Sequence, residues 1–192
     1  MKKFELTSET KINIFGKKLF RIKALISFGN VEAGETGGWV EKEENVNQSG
    51  DAWVFGNAEV FGNARVSGNA RVFDNARVYG DAEVSGDAWV YGNARVSGDA
   101  EVSGNARVSG NAEVYGNADY TTIHGFGTQF RTTTFFQCED KQIRVSCGCF
   151  LGTIPEFREQ VKNTREGKIV EEYLMIADLM EKHFVKEKES GE

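Results

Sequence analysis

The sequence predicts a mainly β protein built around a β-solenoid, and three observations carry that prediction. From Asp51 the chain repeats every six residues, as in Asp51-Ala52-Trp53-Val54-Phe55-Gly56 and Asn57-Ala58-Glu59-Val60-Phe61-Gly62, and keeps its frame through Asn117-Ala118-Asp119-Tyr120. Alanine and valine recur two residues apart, the spacing of two side chains on one face of a strand, so both point inward. Each hexad ends on a Gly-Asn or Gly-Asp pair, residue types that tolerate the positive φ of a tight corner, and Asp74 alone breaks the glycine column. A hexad of one short strand and one corner cannot bury its apolar face alone, so neighbours must stack to close a core.

The flanks read as caps for that stack, whose open ends would otherwise present unpaired backbone. Residues 1–50 form a β-rich N-terminal cap. Asn13-Ile14-Phe15-Gly16-Lys17-Lys18 turns between two strand-like runs, Phe20, Ile22 and Ala24 alternate on one face, and a degenerate hexad, Asn45 to Gly50, places Val46 and Gln48 inward. Residues 51–121 are the hexads, and 122–192 form a small α+β domain. There Gln129 to Gln137 and Gln142 to Phe150 read as a hairpin with Phe136, Cys138, Ile143 and Val145 on one face. Thr153 with Glu156 has capping-box spacing, and Asn163 with Glu166 offers a second helix start. The second helix carries an apolar stripe of Val170, Tyr173, Leu174, Ala177, Met180 and Phe184.

An aliphatic residue followed four positions later by a small one, Val54 to Ala58 and Val60 to Ala64, resembles the hexapeptide repeat of left-handed β-helices. That resemblance implies a left-handed parallel β-helix, a triangular solenoid with three hexads per coil and about four coils. The chain departs from the family pattern just after the aliphatic residue, where it has Phe55, Phe61, Ser67, Phe73 or Tyr79. A second resemblance rests on the flanks. Phe20-Arg21-Ile22-Lys23-Ala24-Leu25, Gly37-Gly38-Trp39-Val40-Glu41-Lys42, Arg131-Thr132-Thr133-Thr134-Phe135-Phe136 and Cys147-Gly148-Cys149-Phe150 look like uncharacterised hexapeptide-repeat proteins of phages, prophages and their bacterial hosts. It implies a mobile-element origin and names no activity.

Composition removes several function classes. Twenty-three Lys and Arg against 29 Asp and Glu give a net charge of -6, which disfavours a sequence-independent grip on a nucleic-acid polymer. No apolar run reads as a signal peptide or a membrane helix, so the expected location is the cytoplasm, of the host if phage-encoded. Three cysteines, all between Cys138 and Cys149, do not make a disulfide framework and read as buried thiols rather than a metal site.

With eighteen residues per coil, outward positions fall into columns. One face carries Trp53, Arg71, Trp89 and Arg107 beside Phe55, Phe73, Tyr91 and Ser109; the second mixes charge and rings; the third carries Arg65, Glu83 and Glu101 beside serines. The aromatic face predicts an interface, because large exposed apolar patches are rare on monomers. Its occupants stay open between a second copy, with a trimer favoured, and a small anionic, nucleotide-like ligand stacked between Trp and Arg. Arg131, Thr132, Thr134 and His124 form a secondary anion-site candidate. No catalytic residue, metal or cofactor is assigned: hexapeptide acyltransferases and carbonic anhydrases need histidine on the helix, and His124 and His183 lie outside the hexads. The expectation is therefore a non-catalytic oligomeric binding protein for a small ligand or host protein, with a self-assembling scaffold as the alternative and a hexapeptide-type transferase third.

Overall fold

The computed structural model describes residues 2–184 and divides into two compact units, the first ending at Asn117 and the second beginning at Ala118. The first unit opens with β1 (Phe4–Ile12) and β2 (Lys18–Ala24), an antiparallel hairpin, followed by β3 (Thr36–Val40). The hairpin turn is closed by Asn13, whose Oδ1 accepts from the amides of Phe15 and Lys17 at 3.0 Å each. From there eleven two-residue strands follow at six-residue intervals, β4 (Trp53–Val54) to β14 (Glu113–Val114). They stack in parallel with residue n beside n+18, so Val54 adjoins Val72, which adjoins Val90, which adjoins Val108. The result is a three-sided β-solenoid of about four turns. One sheet continues into β3, β2 and β1, so the N-terminal strands and the coils share a sheet and a unit rather than forming separate bodies.

The inward column holds as the hexad pattern requires. Every valine from Val54 to Val114 and every alanine from Ala52 to Ala112 in the frame is fully buried. Corner glycines are needed for two reasons, both visible at Gly86: its φ is +65°, and an added Cβ would sit 2.9 Å from the Gly104 amide nitrogen in the next coil. Asp74 takes the same left-handed backbone at φ 61°, and its carboxylate accepts the Gly92 amide at 3.1 Å, which offsets part of that strain. Side chains also bond along the corners. Asn63 Nδ2 donates to Asp81 Oδ1 and Asn69 Nδ2 to Asp87 Oδ1, each at 3.0 Å.

The first coil is finished by side chains that act as surrogate backbone. Buried Asn45 donates through Nδ2 to the carbonyls of Gly62 and Ala64 at 3.2 and 2.8 Å, and its Oδ1 accepts from the Lys42 amide. Gln48 pairs with the start of β1, accepting from the amides of Lys3 and Phe4 and donating to the Phe4 carbonyl. Lys3 is 3% exposed, donates to the carbonyls of Gly50 and Ala52 at 3.2 and 2.9 Å, and lies 4.8 Å from the Phe28 ring centre.

Burial lowers the Lys3 ammonium to about 8 from its ordinary 10.5, an effect that Asp51 partly opposes. Between those pH values the unfolded chain holds a proton that the folded chain has released, so stability rises with pH across that window. The slope is at most about 1.4 kcal/mol per pH unit. The stability curve of Lys3→Met, measured by chemical denaturation, is expected to lack this rise; parallel curves between pH 8 and 10.5 would show that Lys3 is not desolvated.

The second unit is an antiparallel sheet of β15 (Tyr120–Phe126), β16 (Arg131–Gln137), β17 (Ile143–Cys147) and β18 (Phe150–Thr153), with α1 (Ile154–Thr164) and α2 (Lys168–His183). The predicted hairpin is thus the centre of a four-stranded sheet. Phe135, not Phe136, lies opposite Val145 and joins the core of Phe157, Tyr173, Ala177 and Met180; Phe136 faces the other way, opposite Arg144. The capping box at Thr153 and Glu156 forms, and these bonds hold the Glu156 carboxyl below its ordinary range. The second helix starts later than Asn163 suggests. Asn163 lies inside α1, and Gly167 at φ 58° is the N-cap of α2. Of the predicted stripe, Tyr173, Ala177 and Met180 are buried, joined by Ile176. Only one of the three thiols is buried: Cys138 is, whereas Cys147 is half-buried and Cys149 is exposed.

Candidate functional site

The predicted aromatic face is one parallel sheet, on which the strand spacing of about 4.8 Å brings like side chains into stacking contact. Trp53, Arg71, Trp89 and Arg107 are direct register neighbours. The Arg107 guanidinium lies 4.6 Å and that of Arg71 5.6 Å from the Trp89 ring centre, so a cation approaches the indole from the coil on each side. Each such pair is worth about 0.5–1 kcal/mol at an exposed site. In the next column Phe73 and Tyr91 stack face to face at 4.8 Å and 4°, and the Phe73 ring meets Trp89 edge-on at 5.9 Å. Phe55, Phe73, Trp89 and Tyr91 are all half-buried. Faces of the Phe73, Trp89 and Tyr91 rings are therefore spent on contacts inside the ladder.

Trp53 does not belong to that exposed surface. It is fully buried, with Phe4 and Phe28 packed edge-on at 5.7 and 5.3 Å. The cause is its place at the end of the stack: the returning N-terminal chain covers the first aromatic rung, as an open solenoid end demands. The working face is Phe55, Arg71, Phe73, Trp89, Tyr91 and Arg107.

On the second face the N-terminal hairpin takes over. Glu59 is held by Lys11 at 2.8 Å and Arg77 at 3.5 Å, Arg95 pairs with Glu113 at 3.1 Å, and Phe15 packs on the stacked rings of Phe61 and Tyr79. The hairpin tip carries the most exposed large apolar side chain of the first unit's described residues, Ile14 at 74%, beside Ile12 at 66%. The third face, Arg65, Glu83 and Glu101 in register, is exposed and polar throughout.

Five overlapping stretches, 64–76, 70–86, 76–92, 88–101 and 100–116, match the family model described as the YdcK beta solenoid repeat. The chain is a β-solenoid repeat protein. All five matches fall on the solenoid coils, none on the N-terminal strands or the second unit. No curated protein sequence matches the chain.

The secondary anion candidate is not assembled as predicted. His124 Nδ1 lies 3.3 Å from Thr132 Oγ1 and Thr134 is buried on that same strand face. Arg131 alternates to the opposite face, shared with Thr133 and Phe135. His183 stands apart at the end of α2, edge-on to Phe184 at 5.1 Å. Among the described residues no group of three His, Cys, Asp or Glu side chains is placed to hold a metal ion.

Proposed function

We propose that this solenoid is a non-catalytic binding scaffold that assembles with copies of itself through the face of Phe55, Arg71, Phe73, Trp89, Tyr91 and Arg107, with a trimer the favoured order. One observation carries the reading: the positions of that face that are not fully buried, Phe55, Arg71, Phe73, Trp89, Tyr91 and Arg107, are all aromatic or Arg, with no Lys, Asp or Glu, while Trp53 and Ser109 of the same columns are fully buried. Interface cores are enriched in those aromatic residues and Arg and depleted in those charges. Because the Trp89 indole already has a guanidinium from each flanking coil, a flat protein surface suits the face better than a base inserted into it. The hexapeptide pattern of the coils and the flanks' resemblance to phage and prophage hexapeptide proteins support a left-handed helix acting in the cytoplasm of a phage host.

Trp89→Glu with Tyr91→Lys is expected to lower the molar mass in light scattering while the β circular dichroism persists. An unchanged mass would exclude this face. The exposed hairpin tip favours a second contact surface, and Ile14→Asp separates the two: loss of assembly in that variant alone assigns the interface to the hairpin. Native mass spectrometry of the wild type gives the subunit count, and a retained small molecule or host protein there would assign the face to that occupant instead of a second copy.

A further inference from the structure

The second unit contains a cavity of about 90 Å³ between the turn joining β17 to β18 and the two helices. This is several times the space that one water needs and well below a drug-sized pocket, so a group of a few heavy atoms fits. Phe126, Phe150 and Tyr173 wall it, Cys147 and Cys149 line it, and Arg131 and Arg165 are its charged residues; no Asp or Glu lines it. That segregation is unusual in a chain of net charge -6. The unit's other two arginines are paired, Arg144 with Asp140 at 2.6 Å and Arg158 with Asp178 and Glu181 at 2.6 and 2.8 Å. Arg131 and Arg165 have no carboxylate partner among the described residues; the Arg165 guanidinium donates to the Thr164 carbonyl at 2.9 Å. Gly148 at φ 64° lets the chain pass close to Arg131, since a Cβ there would meet its guanidinium at 2.5 Å. The Tyr173 hydroxyl donates to the Phe126 carbonyl at 3.2 Å, and burial together with Cys147 pushes the phenol up, so it adds no negative charge to the cavity.

We propose that this cavity binds a phosphate-sized oxyanion, with Arg131 and Arg165 as its ligands and the aromatic wall against whatever the anion is attached to. Two unpaired guanidiniums are the groups that recognise phosphate by paired hydrogen bonds, and a site reserved for an anion must exclude carboxylates of its own. The two thiols of the cavity provide the readout. Full-length protein is alkylated with iodoacetamide, which is uncharged, in millimolar inorganic phosphate or in sodium chloride of equal ionic strength, and each cysteine is followed by peptide mass spectrometry. Phosphate is expected to slow Cys147 and Cys149 severalfold while leaving buried Cys138 unchanged, and Arg131→Gln with Arg165→Gln is expected to remove that protection. Stronger protection by phenyl phosphate identifies the head of a larger molecule, and equal protection identifies free phosphate. No protection by either compound, or protection that survives in the double variant, overturns the proposal. Both arginines are exposed, so the variants retain the fold, and the outcome is independent of the solenoid's oligomeric state.

Discussion

Val84→Asp is expected to abolish the soluble, folded solenoid. Val84 is fully buried between Val66 and Val102 of the adjacent coils, in a core only one valine and one alanine wide on each side. A carboxylate there is enclosed by buried Ala and Val side chains, and the amides of Glu83 and Ser85 on either side are already bonded to the Ala100 and Val102 carbonyls of the next coil. The effective penalty of an unpaired buried charge is several kcal/mol, against a typical total stability of about 5–15 kcal/mol. Coils depend on their neighbours for burial, so the defect spreads along the stack. The measurement is yield and melting of the purified variant beside Ser85→Lys, one position along and pointing outward, which should change stability by no more than about 0.5 kcal/mol. Wild-type melting of Val84→Asp would mean that the inward phase of the hexads is wrong.

The second large effect separates two tryptophans that occupy the same place in their hexads. Trp53→Ala is expected to cost about 3–5 kcal/mol, as truncation of a buried indole does. It removes the ring that Phe4 and Phe28 pack against and so loosens the N-terminal chain from the first coil. Trp89→Ala removes a ring that is only half-buried, and should cost nearer 1 kcal/mol. Equal costs in denaturant titrations of the two variants would contradict the burial of Trp53.

That pair also shows where sequence reading stops. The hexad phase, the inward Ala and Val, the glycine corners and the Thr153 capping box are local features, and local spacing is enough to read them. Trp53 and Trp89 share the local run Asp-Ala-Trp-Val, and Phe4 and Phe28, 49 and 25 positions before Trp53, tell them apart. Gln48 sits at an inward position of a degenerate hexad, yet its amide is spent on the Lys3 and Phe4 backbone, a pairing no short pattern encodes. In the second unit, adjacent Phe135 and Phe136 are both fully buried, so hydrophobicity could not assign the faces of β16. The strict alternation of strands did carry a usable signal there: it separates Arg131 from Thr132 and Thr134 before any coordinates are known. Arg165 and Tyr173 come to Arg131 only through the packing of helices on the sheet.

The alternation of the outward ladder also bears on how such a protein can change length. Asp51-Ala52-Trp53-Val54 returns as Asp87-Ala88-Trp89-Val90, and Asn69-Ala70-Arg71-Val72 returns as Asn105-Ala106-Arg107-Val108, so the hexads of the aromatic face copy themselves over two coils rather than one. Excising the single coil 69–86 would set Trp53 directly on Trp89 and Asp51 on Asp87, replacing cation–ring and amide–carboxylate neighbours with like on like. Excising or duplicating two coils keeps each indole beside a guanidinium. On this face the repeating unit is thus two turns, twice the geometric one, whereas the second face runs Glu59, Arg77, Arg95, Glu113 and does not share that period.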